Sequence, residues 1–301
     1  MKIAITGSTG LIGSAVTEYF RGLGHTVTRI CRPGSEVPSD EAVVQWDIRT
    51  KDVDTPGFAG QDVFIHLAGA NIAAQKWSIE YKEEIYNSRI DGTRLLCQLL
   101  AKFQFPPKVI CCASAVGFYG SRGTSNDLDE SSPIGYDFLS GVCDQWEKAT
   151  QSAQKVGIRI VHMRFGVVLS LNGGALAKML TPFKLGLGGP IGSGKQMMSW
   201  IALDEIPQII KHLIDNENIS GAVNIVSPDA VSNREFTKVL GKVIKRPTIF
   251  PLPSFVAKFL FGEMGETLLL GGQKVTPKKL IDSGYVFKYP SLEDALRGCL
   301  K

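Results

Sequence analysis

The segment Gly7-Ser8-Thr9-Gly10-Leu11-Ile12-Gly13 reads G-x-x-G-x-x-G and directly follows an apolar run, Ile3-Ala4-Ile5. This spacing suits a dinucleotide. Glycine permits the sharp turn, lets the backbone approach a pyrophosphate, and lets the next helix pack on the strand. The helix start adds unpaired N–H groups and a favourable dipole for phosphates. Thr9, Leu11 and Ile12 therefore join Gly7, Gly10 and Gly13 as expected cofactor contacts. A structural tight turn is the plainer reading of such a motif. The order strand, glycines, helix favours the nucleotide. The end of the second strand selects which one. NAD sites usually place an acid there, whereas this chain has Arg29 and Arg32 and no acid. An arginine fork fits a phosphate, so NADP(H) is the expected cofactor, with Arg32 better placed than Arg29. For both arginines the alternative is a solvated surface position.

These residues need elements to hold them. Short apolar runs at 2–6, 26–31, 43–46, 63–67, 108–113 and 159–164 alternate with helix-like stretches at 11–23, 79–103 and 135–156. Strands alternating with helices predict a parallel sheet, here an α/β Rossmann doubly wound fold. Past residue 169 the texture changes to a glycine-rich connection, one more strand at 222–226, and short helices at 233–244, 254–261, 266–271, 277–283 and 291–300. The expected organisation is an NADP-binding domain of residues 1–170 plus 198–228. A smaller, mostly helical substrate lobe of 171–197 plus 229–301 completes it.

The 301 residues are enough for about two domains at roughly 150 residues each. With 44% hydrophobic and 21% charged residues, a mostly disordered chain is excluded. The net charge is +4, but its basic residues are scattered, so neither nucleic acid nor a membrane surface is an expected partner. No apolar run approaches the roughly 18 residues of a membrane helix, and the N-terminus lacks a signal-peptide pattern, which makes the cytoplasm the default location. Six cysteines without a C-x-x-C pair imply neither zinc nor a disulfide framework. On a strand, adjacent Cys111 and Cys112 would point to opposite faces. The sequon Asn218-Ile219-Ser220 is expected to be inert without secretion.

Several patterns are decoys. Gly189 to Lys195 resembles a phosphate loop, but Gln196 stands where Mg²⁺ binding needs Ser or Thr, and no strand leads in. This loop reads either as a substrate wall offering Lys195, Gln196 and Trp200, or as a hinge. Asp129-Glu130 and Asp204-Glu205 are neighbours that point apart, unsuited to a shared proton. The four histidines are isolated, with no metal-ligand spacing, and His66 at a strand end reads as structural. Trp77 and Trp146 read as packing residues, with Trp77 also within reach of a cleft.

Ile5 to Gly10 and His66-Leu67-Ala68-Gly69-Ala70-Asn71-Ile72 resemble the extended short-chain dehydrogenase/reductases, the group of the nucleotide-sugar epimerases. Asn87 to Thr93, Ser114 to Gly120, Gly186 to Gly194, Asp137-Phe138-Leu139, Cys143, Trp146-Glu147 and Ser199-Trp200-Ile201 are similar to an atypical NAD-dependent epimerase/dehydratase-like subgroup. The resemblance spans nearly the whole chain. It implies Asp47 and Ile48 beside the adenine, Leu67, Ala68 and Gly69 along the ribose and diphosphate, and Ala113 and Ser114 near the nicotinamide.

The superfamily's Tyr-x-x-x-Lys pair is missing: none of the seven tyrosines has lysine four residues later. Aligned through Glu147, the pair falls on Leu139 and Cys143, and Arg89 stands where asparagine is usual, among the cofactor-binding positions. Ser114 is the counterpart of the catalytic serine. A thiol of pKa ~8.5 does not supply lysine's charge. Tyr119 is the expected substitute acid or substrate contact, or else a packing residue. Cys143 is a proton donor or nucleophile, or else a small buried hydrophobe. Two readings follow: an NADP(H)-dependent oxidoreductase or epimerase-like enzyme on a small polar, sugar-nucleotide-like substrate, or an NADP(H)-binding sensor without turnover. Oligomeric state is left open.

Overall fold

The computed structural model describes residues 1–35, 37, 42–48, 50, 52–53, 55–123 and 127–300. Its central sheet contains β1 (Lys2–Thr6), β2 (Thr26–Cys31), β3 (Val43–Asp47), β4 (Asp52–Val53), β5 (Val63–His66), β6 (Val109–Ala115), β7 (Arg159–Phe165) and β8 (Gly221–Ile225). The strands lie in the order β8-β7-β6-β5-β1-β2-β3-β4. Neighbours are parallel except for the antiparallel edge pair β3 and β4. The doubly wound α/β fold expected from the sequence is the one observed.

Parallel neighbours need long crossovers, and helices supply them. α1 (Leu11–Gly22) joins β1 to β2, α2 (Ile79–Leu100) joins β5 to β6, and α3 (Phe138–Lys148) with α4 (Gln151–Lys155) joins β6 to β7. Strand order reverses between β1 and β5, which opens a crevice beyond their carboxyl ends. The glycine motif after β1 and the Leu67-Ala68-Gly69 turn after β5 meet there.

Alternation along each strand divides the core between the two faces. Ile3, Ile5, Ile65, Cys111 and Met163 pack in one cluster with Val16 and Phe20 of α1. Ala4, Phe64, Ile110 and Cys112 pack in the other with Leu96 and Leu100 of α2. Cys111 and Cys112 thus take opposite faces.

The stretch 135–156, expected as one helix, is two. Asp137 starts α3 by accepting the Ser140 N–H at 2.9 Å, and the Thr150 hydroxyl bonds the Glu147 carbonyl at 2.8 Å, drawing the chain out of the helix. Two helices were not anticipated: α5 (Gly174–Lys184), inside the glycine-rich connection, and α6 (Ile206–Asp215). α6 buries Ile206, Ile209, Ile210 and Leu213 against the sheet. Beyond β8 come α7 (Asn233–Ile244), α8 (Ser254–Gly265) and α9 (Leu292–Cys299). α7 and α9 close on a third apolar cluster that includes Leu176, Phe183, Trp200, Phe236 and Leu296.

Candidate functional site

The turn after β1 is built so that only glycine fits. Gly7 has φ +67°, and a Cβ there would lie 2.8 Å from the Leu67 carbonyl carbon. A Cβ on Gly13 would lie 2.1 Å from the Gly7 oxygen. Gly10 begins α1 without a side-chain cap, so the first helical N–H groups point into the crevice. Donors without partners at a positive helix end, beside backbone that a Cβ would block, form a fitting cradle for a diphosphate.

Arg29 on β2 donates from Nη1 to the Ser8 carbonyl at 2.6 Å, bracing this turn. Arg32 lies exposed just beyond β2. Asp47 ends β3, and Ile48 sits so close to α2 that a Cβ on Gly92 would come within 3.0 Å of its Cδ1.

A cleft of about 320 Å³ runs from the glycine turn to the carboxyl end of β6. Gly7, Gly10, Leu11, Ile12 and Gly13 line one end, and Ala113, Ser114, Leu139 and Cys143 line the other. Leu67 and Arg89 also line it, while Thr9, Ala68 and Gly69 do not. Leu139 and Cys143, aligned above with the missing Tyr and Lys, do face this space. Burial pushes the Cys143 thiol up to about 12, with Glu147 adding to the shift and Arg89 opposing it. At neutral pH it is a neutral thiol, which suits the small-hydrophobe reading.

Ser114 is buried at the cleft floor and donates from Oγ to Glu147 Oε1 at 2.7 Å. Arg164 on β7 clamps the same carboxylate, Nε to Oε1 and Nη2 to Oε2, both at 2.8 Å. Burial works against the Arg164 guanidinium, but its bonds to Glu147 outweigh that and hold it above its ordinary value. Because the single Ser114 proton is committed to Glu147, the hydroxyl offers the cleft acceptor lone pairs. Glu147 and Arg164 were not anticipated as site residues. One signal was available: an arginine inside the apolar strand Arg159–Phe165 must have a buried partner.

Tyr119 is corrected by the structure. It is fully buried, donates to Asn224 Oδ1 at 2.7 Å and accepts from Arg164 Nη1 at 2.9 Å. Burial pushes its phenol up to about 12, and it does not line the cleft. The tyrosine supports Arg164 from behind, because the short 3₁₀ turn Val116–Tyr119 carries it under the sheet edge. Three of the expected substrate contacts are engaged within the chain and do not line the cleft. Trp200 is fully buried in the third cluster, and its indole N–H is bonded to the Asp229 carbonyl. Gln196 donates to the Ile191 and Leu269 carbonyls, and Trp77 donates to the Ile72 carbonyl while packing edge-on against Phe138. Lys195 is exposed, on a loop that does not line the cleft. That loop is an internal brace: a Cβ on Gly189 would lie 2.0 Å from the Phe250 oxygen, and Asn233 holds the Ile191 N–H.

His66 is structural, as its isolation implied. It bonds Thr6 through Nδ1 and Thr93 through Nε2, and burial pushes it down to about 4. Thr93 also accepts the Trp146 indole N–H at 2.8 Å. The Arg89 guanidinium lies 5.1 Å from the Trp146 ring centroid and donates to the Ala70 and Ile85 carbonyls. Among the described residues no cluster of His, Cys, Asp and Glu could hold a metal, and no helix is long and apolar enough to cross a membrane.

The sequence model of the NAD dependent epimerase/dehydratase family matches residues 3–226, and a domain of unknown function (DUF1731) matches 252–299. An epimerase family protein of Mycobacterium bovis, Mb2239, is 38% identical over 98% of this chain and 96% of its own length. The human epimerase family protein SDR39U1 is 36% identical over 99% of both chains. The crystal structure of human SDR39U1 (isoform 2) with NADPH superposes with a TM-score of 0.88 at 34% identity, covering 99% of each chain. A nucleoside-diphosphate sugar epimerase from Corynebacterium glutamicum superposes with a TM-score of 0.82 at 33% identity, over 100% of this chain and 58% of its own.

Proposed function

The chain belongs to the NAD-dependent epimerase/dehydratase family, and from that premise we propose an NADP(H)-dependent oxidoreductase or epimerase-like enzyme acting on a small polar, sugar-nucleotide-like molecule. The observation that carries this reading is the continuity of one cleft from the glycine cradle to Ser114. The human relative crystallised with NADPH supports the choice of cofactor. NADP(H), when bound, supplies or accepts a hydride.

The chain's own residues do the rest. Gly7, Gly10, Leu11, Ile12 and Gly13 hold the diphosphate, with Thr9 at its edge, and Arg29 keeps their turn in place. Arg32 meets the 2′-phosphate, and Asp47 and Ile48 flank the adenine. Leu67, Ala68 and Gly69 follow the ribose, and Ala113 leads to the nicotinamide end. Ser114 accepts the hydrogen bond of a substrate hydroxyl, and its own proton faces Glu147. A proton passed from that hydroxyl to Ser114, as the Ser114 proton passes to Glu147, would be general-base help worth roughly 10²–10⁴-fold.

A second reading, a sensor that binds NADP(H) without turnover, rests on Leu139 and Cys143 standing where a tyrosine and lysine would act. NADPH deuterated at either face of the nicotinamide C4, incubated with the protein and a metabolite extract, separates the two. Label appearing in one metabolite supports the enzyme. Binding without any transfer supports the sensor. For the cofactor itself, Arg32→Ala should weaken NADPH by about 10–100-fold, the worth of a charged hydrogen-bonded contact, and NADH far less. Equal loss for both would remove the 2′-phosphate assignment.

A further inference from the structure

Arg89 reaches the cleft from α2 as a cation with no ionic partner among the described residues. Its guanidinium has five N–H groups, and two donate, at 3.1 Å to the Ile85 carbonyl and 2.9 Å to the Ala70 carbonyl. Among the described residues no carboxylate pairs with it, and Cys143 and Tyr81 are its titratable neighbours. One face lies on the Trp146 ring, and Gly69 approaches so closely that a Cβ there would lie 3.4 Å from Cζ. The remaining N–H groups belong to a side chain that lines a cleft walled by Leu67, Ile72, Val142, Phe165 and Val168. An unpaired cation between apolar walls is costly unless something of opposite charge comes to it.

The glycine turn already answers a diphosphate with its own backbone donors. Arg89 instead sits over Trp146, and the adjacent residue Glu147 holds Ser114. Consecutive residues of α3 thus hold two groups that line one cleft, the cation and the acceptor hydroxyl.

We propose that Arg89 anchors a carboxylate of the substrate, so that the molecule bound at Ser114 is an acid bearing a neighbouring hydroxyl or carbonyl group. The planar fork of the guanidinium matches a carboxylate with two parallel N–H···O bonds. The apolar walls strengthen that pairing by excluding water. This assignment rests on the cleft being the site of the proposed NADP(H)-dependent reaction.

Lactate and its uncharged isostere lactamide are the probes, titrated calorimetrically into the full chain with and without saturating NADP⁺. The expected result is a preference for lactate of at least about tenfold, the lower end of what a close charge pair contributes. Arg89→Gln, which keeps donors for the carbonyls but lacks the charge, should abolish the preference, and Arg89→Lys should retain part of it. Thermal melts of both variants establish that they are folded. Equal binding of the two probes to the wild type, no binding of lactate, or a preference surviving in Arg89→Gln would each overturn the assignment. So would a loss of NADP⁺ affinity in Arg89→Gln as large as the loss for lactate, which would give the cation to the cofactor. A wild type that ignores NADP⁺ sinks the cofactor reading, while the arm without cofactor still decides the carboxylate.

Discussion

Replacing Arg164 by methionine keeps much of the side chain's length over the Phe118 ring, whose centroid lies 3.5 Å from the guanidinium carbon, and removes the charge. Three hydrogen bonds go with it, two to Glu147 and one to Tyr119. Both members of the ion pair are sheltered, with side-chain exposures of 5% for Arg164 and 12% for Glu147. The variant therefore leaves a carboxylate in the interior with Ser114 as its remaining side-chain donor. Breaking a buried pair from one side costs about 3–5 kcal/mol, because the surviving charge has lost its compensation. In a chain of this size that lowers the melting temperature by about 5–8 °C. Urea unfolding at neutral pH measures the first figure and differential scanning calorimetry the second. The companion is the double variant Arg164→Met with Glu147→Leu, which removes both charges together. It should be more stable than Arg164→Met alone by at least about 2 kcal/mol, since an apolar replacement of a whole pair is often neutral. If Arg164→Met lies within about 1 kcal/mol of wild type, or if the two substitutions simply add, the clamp on Glu147 is not what the geometry says it is.

Gly13→Ala forces a Cβ into the Gly7 carbonyl, so NADPH affinity should fall at least about tenfold in a fluorescence titration, with stability lower by about 1–3 kcal/mol. Wild-type affinity in that variant would refute the cradle. His66 is held down to about 4 by burial, so between that value and its ordinary 6.5 the unfolded chain binds the proton and the folded chain does not. Stability accordingly falls as pH drops through this window, and His66→Asn should reduce the loss between pH 7.5 and 4.5 by about 2–3 kcal/mol, with an unchanged slope counting against the assignment. Cys143, pushed up to about 12, has about one thiol in ten thousand ionised at pH 8, so iodoacetamide should leave it unlabelled in the folded protein by mass spectrometry. Rapid labelling there would restore a nucleophilic role.

Local order along the chain carries the fold class and the glycine cradle at one end of the cleft. Apolar runs of strand length alternate with helical spacing, and the cradle is three glycines within seven consecutive residues at one strand-to-helix turn. Steric demands of that kind act between near neighbours, as the 2.1 Å approach of a Gly13 Cβ to the Gly7 oxygen shows. The chemical end was decided only by tertiary structure. Ser114 finds its acceptor 33 residues away on α3, that acceptor is clamped by an arginine from another strand, and Tyr119 turns from the cleft toward Asn224, 105 residues on. Sequence adjacency made Tyr119 look like a partner for Ser114, but the turn between them rotates its phenol into the core. The Gly186–Gly194 loop, read as a substrate wall or a hinge, packs inward for the same reason, as does Trp200 beyond it. Its glycines answer close packing against Phe250 and Arg234, contacts that exist only once the C-terminal helices have folded back. Where a charge is buried, its partner is chosen by the sheet order and the helix crossing it, and no spacing along the chain encodes that choice.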